Sequence, residues 1–306
     1  MRLRLALQPA GLSADMWLMG ARWPIHRSPG QASLLWLSLW LLVAPCARLA
    51  EAGPWMQEKG HGILIWNLFA YQATERFGLD REREPLGENG RFRSLTFQGW
   101  LEVGLTNRWT WIATGSAPAL SYRDRWMSES AVALGDFQTG VRRGLRNPER
   151  GWQVAVQTLI KAPAYRAGVR PRPGNGQMDW EVSLLAGRSF PVSRLWGYTA
   201  FESGYRKRWG RPDDQWRSEA AAGIHLHPRL TLSAQLFTTY SVGGFAFRES
   251  ATNPLVEPNY DLVKGFATVN VGLTRSIRVQ AGYGADLAGR NTGAGRTWVL
   301  GLWKNF

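Results

Sequence analysis

Past residue 53 the chain alternates between apolar and polar side chains with a period of two, and no window holds an apolar stripe at helical spacing for long. In "LTLSAQLFTTYS", Leu230, Leu232, Ala234, Leu236 and Tyr240 fall on one face, and Thr231, Ser233, Gln235, Thr239 and Ser241 on the other. In "WQVAVQTLIK", Trp152, Val154, Val156 and Ile160 oppose Gln153, Gln157 and Lys161. In "IRVQAGY", Ile277, Val279, Ala281 and Tyr283 oppose Arg278 and Gln280. Successive side chains of a strand point to opposite sides, so each window reads as a strand with one apolar face.

Such windows predict strands over 61–72, 92–106, 109–122, 132–146, 151–162, 177–190, 195–209, 214–226, 229–243, 260–273, 276–288 and 295–306. That is about twelve, at lengths suited to tilted strands crossing a bilayer. The connections "TNR", "NPERG", "PVSR", "HPR" and "TRS" are tight and polar, and they alternate with longer ones at 73–91, 123–131, 163–176 and 244–259. The links near 210–213 and 289–294 are modest. An even number of strands, with short turns at one end and long loops at the other, predicts an all-β, antiparallel transmembrane β-barrel. Its short turns and both termini lie on the periplasmic side, its long loops outside.

A secreted soluble β-sandwich gives the same alternation, with its polar face in water. Three features favour the barrel: the loop-length alternation, aromatic residues at strand ends (Trp109, Trp152, Trp180, Trp196, Trp216, Tyr240, Tyr260), and the last strand, "GRTWVLGLWKNF". Aromatic rings suit a boundary that is apolar on one side and wet on the other. The last strand has to pair with the first, because an open edge is not tolerated in lipid. Its terminal Phe306 resembles the C-terminal residue by which the assembly machinery reads outer-membrane proteins, while Lys304 departs from the aromatic or apolar residue more usual there.

The first 52 residues are expected to be an N-terminal extension and cleaved signal peptide, and 53–306 the barrel. Arg22, His26 and Arg27 precede an apolar core from Leu34 to Ala44, too short for a comfortable membrane span. Ala50-Glu51-Ala52 then gives the small-x-small pattern of signal peptidase. Met19 is an alternative start. Cys46 is the one cysteine in the sequence, and Pro45 before it departs from a lipobox. The mature chain therefore has no cysteine, which suits an oxidising compartment, and the expected location is the outer membrane.

If the Leu, Val and Ile positions face lipid, parity turns charges of both signs inward: Glu102, Asp136, Arg142, Glu181, Glu202, Arg206, Arg217, Glu219 and Arg278, with Gln98, Gln138, Gln153, Gln157, His225, Asn270 and Gln280. The link near 210–213 makes a hairpin of the strands carrying Glu202, Arg206, Arg217 and Glu219, so these four are expected close together. Such a set serves either as an ion-pair network that neutralises itself or as a constriction that screens solutes by charge. The lumen of about twelve strands lies between filled barrels of eight and open channels of sixteen or more.

The net charge of +14 points to a polyanion partner. Arg76, Arg81, Arg83, Arg91 and Arg93, then Arg123 and Arg125, then Arg166, Arg170 and Arg172 lie in or beside the long loops. There they would meet outer-membrane lipid and lipopolysaccharide phosphates, which accounts for much of the charge without nucleic acid. Glu82, Glu84 and Glu88 dilute the first loop. Barrel hydrolases need a serine held to a histidine and a third polar group. The mature chain offers His61, His225 and His227 without a G-x-S-x-G pattern, and no metal, nucleotide or other cofactor motif occurs. The expectation is a protein that is not an enzyme and has no cofactor.

In "ALGDFQTGVRRGL", Gly135, Asp136, Gly140 and Arg142 fit a G-D-x-x-x-G-x-[RK] strand. Here the chain resembles the MetA-pathway phenol-degradation, or putative transporter, barrels of the outer membrane. "EAGPWMQEKGHGILIW" and "WLEVGLTNRWTW" look like XagA-type outer-membrane proteins, associated with exopolysaccharide and biofilm clusters. The resemblance implies an outer-membrane barrel and, by association, transport. Two functions follow as expectations: a channel for small organic solutes such as aromatic catabolites or fatty compounds, or a non-conducting component of an exopolysaccharide system.

Overall fold

The computed structural model describes residues 53–145, 151–210, 212–244 and 258–306. The expected signal peptide, Cys46, the turn at 147–150 and most of the 244–259 loop lie outside the described residues. Twelve strands close into a ring in chain order: β1 (Gly62–Phe77), β3 (Arg91–Thr106), β4 (Trp109–Arg123), β6 (Asp136–Gly144), β7 (Gln153–Pro163), β8 (Asp179–Val192), β9 (Leu195–Arg208), β10 (Gln215–His227), β11 (Leu230–Ser241), β12 (Asp261–Gly272), β13 (Ile277–Arg290) and β14 (Thr292–Asn305). The short β2 (Arg83–Pro85) and β5 (Ser128–Val132) pair only with the outer ends of β1 and β4. Each neighbouring pair is antiparallel, and β14 returns to β1 from Ile63↔Asn305 to Phe77↔Thr292. Closure gives every strand a partner on both sides, which is what a backbone surrounded by lipid requires.

The seam is finished by two backbone bonds between Gly62 and Phe306, one donated by each N–H, at 2.9 and 3.0 Å. Glycine is needed at 62, because a Cβ there would lie 2.4 Å from the Glu102 carbonyl oxygen and 2.5 Å from the Phe306 ring. Along β14, Thr297 and Val299 are buried inside while Trp298 and Leu300 are 64% and 60% exposed on the outside. Lys304 resolves its departure from the usual apolar residue by reaching Ser276 Oγ in the neighbouring turn, at 3.3 Å.

The ring follows the predicted strands, with differences at the long-loop end. β1 runs on to Phe77 and so shortens the first loop. The predicted strand at 132–146 divides: Val132 ends β5, and β6 begins at Asp136 after Gly135, where a Cβ would meet Ser116 Oγ at 2.2 Å. The expected link at 289–294 shrinks to Asn291, which takes a φ of 55°. It can shrink because the outer end of β14 leaves β13 beyond Arg296 and continues on β1 alone, with Thr292, Gly293, Ala294 and Gly295 opposite Phe77 to Ala73. The inside of that end is filled by Tyr71, Ala73, Phe92, Leu120 and Tyr122, with Leu86 from the first long loop folded in among them.

Candidate channel lumen

Of the nine charges that strand parity turns inward, eight fall into three groups, and Arg278 stands apart on the lining of the cavity described below. The first is built on β3 and β6. Arg142 forks onto Glu102, Nη2 to Oε1 at 2.9 Å and Nη1 to Oε2 at 3.2 Å, and both side chains are almost wholly buried. Gln157 Oε1 accepts from Arg142 Nε at 3.0 Å, and Trp100 Nε1 donates to Glu102 Oε1 at 3.1 Å. A buried pair of opposite charge with its remaining donors and acceptors satisfied is the arrangement that offsets the desolvation of both ions.

The second group centres on Glu181 of β8. Arg206 Nε lies 2.6 Å from Oε2, and Arg217 Nη1 lies 3.0 Å from the same oxygen. The expected hairpin quartet is thus rearranged: both arginines turn to β8, and Glu202 stands directly opposite Glu219 in the register of β9 and β10. The reason is Gly204, which faces Ser183 and Arg217 across the two ladders; a Cβ there would come within 2.2 Å of Ser183 Oγ. Without a side chain at 204, Arg217 can pass over β9 to Glu181. Glu202 accepts a long contact from Gln157 Nε2 at 3.4 Å. Glu219 has no ion pair or hydrogen bond among the described residues.

The third group lies toward the outer end, where Lys161 bridges Asp136 at 3.1 Å and Asp179 at 2.8 Å. The parity of β7 put Lys161 on the polar face, but nothing in the sequence marked it or Asp179 as a bridge. At the outer rim the Asp214 carboxylate accepts from the Arg208 N–H, the Tyr205 hydroxyl and the Lys207 ammonium, at 2.9, 2.6 and 2.9 Å. Partial desolvation pushes its pKa up, but these donors outweigh it and hold the group below the ordinary carboxylate range.

The inner end is occupied by the chain itself. Residues 53–59, which carry no periodicity and no strand signal, run inside the ring. Gln57 Nε2 donates to Glu102 Oε2 at 3.1 Å, its N–H donates to Thr110 Oγ1 at 3.1 Å, and the Trp55 carbonyl accepts from Arg142 Nη1 at 3.2 Å. Trp55 packs edge-on against Tyr198, ring centroids 5.9 Å apart. Lys59 bridges Gly104 in parallel, and Gly60 N–H donates to the Gly104 carbonyl at 2.9 Å. A Cβ on Gly104 would sit 2.1 Å from the Glu58 carbonyl oxygen, so this glycine is what lets the segment lie against the wall. A glycine on the inward parity of "LEVGLTNR" was the one sequence signal of the insertion.

Above this segment is an internal cavity of about 250 Å³ floored by Gly53 and Pro54. Glu202 and Glu219 line one side of it, Arg278 and Trp303 the other, with Phe237 and Phe266 between. Asn270 Oδ1 and Trp303 Nε1, both on its lining, are buried without a hydrogen-bond partner among the described residues. His225 lies inward on β10 and meets Thr231 Oγ1 at 2.8 Å and the ring of Tyr198.

A closed ring of twelve antiparallel strands, apolar outside and charged within, is the fold of an outer-membrane β-barrel. The chain is similar in structure to the COG4313 outer membrane channel from Pseudomonas putida F1, with a TM-score of 0.61 at 13% identity over 85% of this chain and 100% of that one. Looser likenesses are the translocator domain of autotransporter NalP from Neisseria meningitidis, TM-score 0.46 at 11% identity over 90% and 95%, and the NanC porin, TM-score 0.45 at 10% identity over 78% and 98%. No family model matches the chain. No curated protein matches its sequence.

Proposed function

We propose that the chain is an outer-membrane channel for small organic solutes, held closed at its inner end by its own residues 53–59. The observation that carries this reading is the internal cavity, lined by strands from all round the ring, whose floor is chain held by a few polar contacts instead of continuous strand. Its lining mixes aromatic and aliphatic side chains with nearly as many polar ones, Glu202, Glu219 and Arg278 among them, which suits a small molecule with both an apolar and a polar part. About 250 Å³ suits one small amphiphilic or aromatic molecule, and the MetA-pathway resemblance at Gly135, Asp136, Gly140 and Arg142 points to the same class. The likeness to an outer membrane channel supports the fold of this reading.

The test is planar-bilayer conductance of the refolded chain from Gly53 onward, against a variant lacking 53–58 and against Gly104→Val, which displaces the segment by clash without deleting it. Rare, brief openings in the wild type and long unitary steps in both variants are expected. If both variants fold into heat-modifiable barrels and stay silent, the channel reading falls. The second reading, a non-conducting component of an exopolysaccharide system, would then take its place. The occlusion of the inner end by Trp55 and Gln57 is the observation that favours it.

A further inference from the structure

The outer surface of the ring carries a cluster of cations along the rim of β14, β1, β3 and β4. On these strands the outward residues fall into rows fixed by register. One row reads Trp298, Ala70, Leu95, Ala119 and, on β5, Val132. It is apolar and exposed, with Trp298 at 64% and Val132 at 83%. The next row toward the long-loop end reads Arg296, Gln72, Arg93, Ser121 and Ser130. One step further, Arg91 stands directly opposite Arg123.

Arg91, Arg93, Arg123 and Arg296 are all exposed, and none has an ion pair or hydrogen bond from its side chain among the described residues. The nearby carboxylates are engaged elsewhere: Glu84 with Arg76 at 2.9 Å, Glu75 with Arg83 at 3.6 Å, and Asp124 with the N–H groups of Trp126 and Met127 at 2.8 and 2.7 Å. Like charges directly opposite on a sheet are destabilising unless an anion lies between them. From strand spacing and rise, the four guanidinium stems cover a patch roughly 14 Å wide and 7 Å high.

We infer that this patch binds the phosphate of a phosphorylated glycolipid of the outer leaflet, whose acyl chains lie on the row of Trp298, Ala70 and Leu95. Position decides between lipid and free anion: the arginines begin where the lipid-facing apolar row ends, so a phosphate held by them has its hydrocarbon directly below. Arginine forks pair with phosphate through two parallel bonds, and the hydroxyls of Ser121 and Ser130 in the same row add donors to the sugar.

The test is native mass spectrometry of the folded full chain in detergent with bisphosphorylated lipid A, and with the same lipid after enzymatic dephosphorylation. The wild type is expected to retain the phosphorylated lipid roughly tenfold better than the dephosphorylated one. Arg91→Gln/Arg93→Gln/Arg123→Gln should lose that preference, and Arg188→Gln/Arg194→Gln, exposed at the opposite rim, should keep it. Equal retention of both lipids by the wild type overturns the inference whatever the variants do. So does an unchanged preference in the triple variant, or wild-type binding of inorganic phosphate as tight as that of the lipid.

Discussion

Two walls of the same lumen are built on opposite terms. From β6 to β10 the inward positions hold Asp136, Arg142, Lys161, Glu181, Arg206 and Arg217, joined by contacts of 2.6 to 3.1 Å to partners one or two strands away. β11, a strand away, turns Thr231, Ser233 and Gln235 inward and no charge, and its Ser233 meets Thr268 of β12 at 2.7 Å. The charged wall is rigid because each ion has few alternatives once water is gone. The hydroxyl wall holds small groups that exchange partners at little cost. On the channel reading proposed above, the contrast points to Glu202 and Glu219 as the filter, since they stand outside the ion pairs of the charged wall.

Breaking the charged wall gives the largest expected effect. Arg142→Met leaves Glu102 buried and unpaired and should cost about 3–5 kcal/mol, measured as a lower urea midpoint of the barrel in lipid vesicles. Glu102→Met/Arg142→Met should recover most of that loss, and a double variant as unstable as the single one would mean the pair is not what holds this wall. The surplus carboxylates come next. In the open Gly104→Val background, Glu202→Gln and Glu219→Gln should each lower cation permeability about fourfold and raise anion permeability by a similar factor, the weight of a unit charge about 5 Å away in water. Reversal potentials in a salt gradient read this, and no change would move the filter elsewhere. On the hydroxyl wall, Ser233→Ala should cost about 1 kcal/mol or less. A loss comparable with that of Arg142→Met would erase the contrast.

The smallest effect is at the rim. Asp214 is held below the ordinary carboxylate range, so its contribution to stability is present above the unfolded value and is lost as pH falls through the folded one. Asp214→Asn should therefore be slightly less stable than the wild type at neutral pH, and the difference should close in acid, read by thermal melts at several pH values. A difference that grows on acidification would reverse the sign and refute the assignment.

The strands and the direction of each side chain were legible in the sequence because lipid outside and water inside impose a period of two. That rule alone placed Glu102, Arg142 and Glu181 inward. It could not say which partner each would take, since partners lie on strands distant in sequence: Glu102 and Arg142 meet through their length, two strands apart. Gly204 in "FESGYR" marked the gap through which Arg217 reaches Glu181, but a glycine signals room and not who fills it. Trp55 and Gln57 left no trace because a segment wrapped by the barrel on all sides needs no alternation. The resemblance to MetA-pathway barrels rests on four residues, which is enough to accompany the fold and too little to name a solute.

The stretch from Trp55 to Lys59 is joined to the ring it blocks through Gly60 and His61. That makes it a tethered competitor, whose effective concentration at Glu102 and Arg142 is set by the length of the tether and lies in the millimolar range for so short a link. A solute competing for the same groups has to be that abundant or bind more tightly. On the channel reading, the inner segment would therefore set a threshold, admitting solutes that displace it and excluding scarce or weakly held ones.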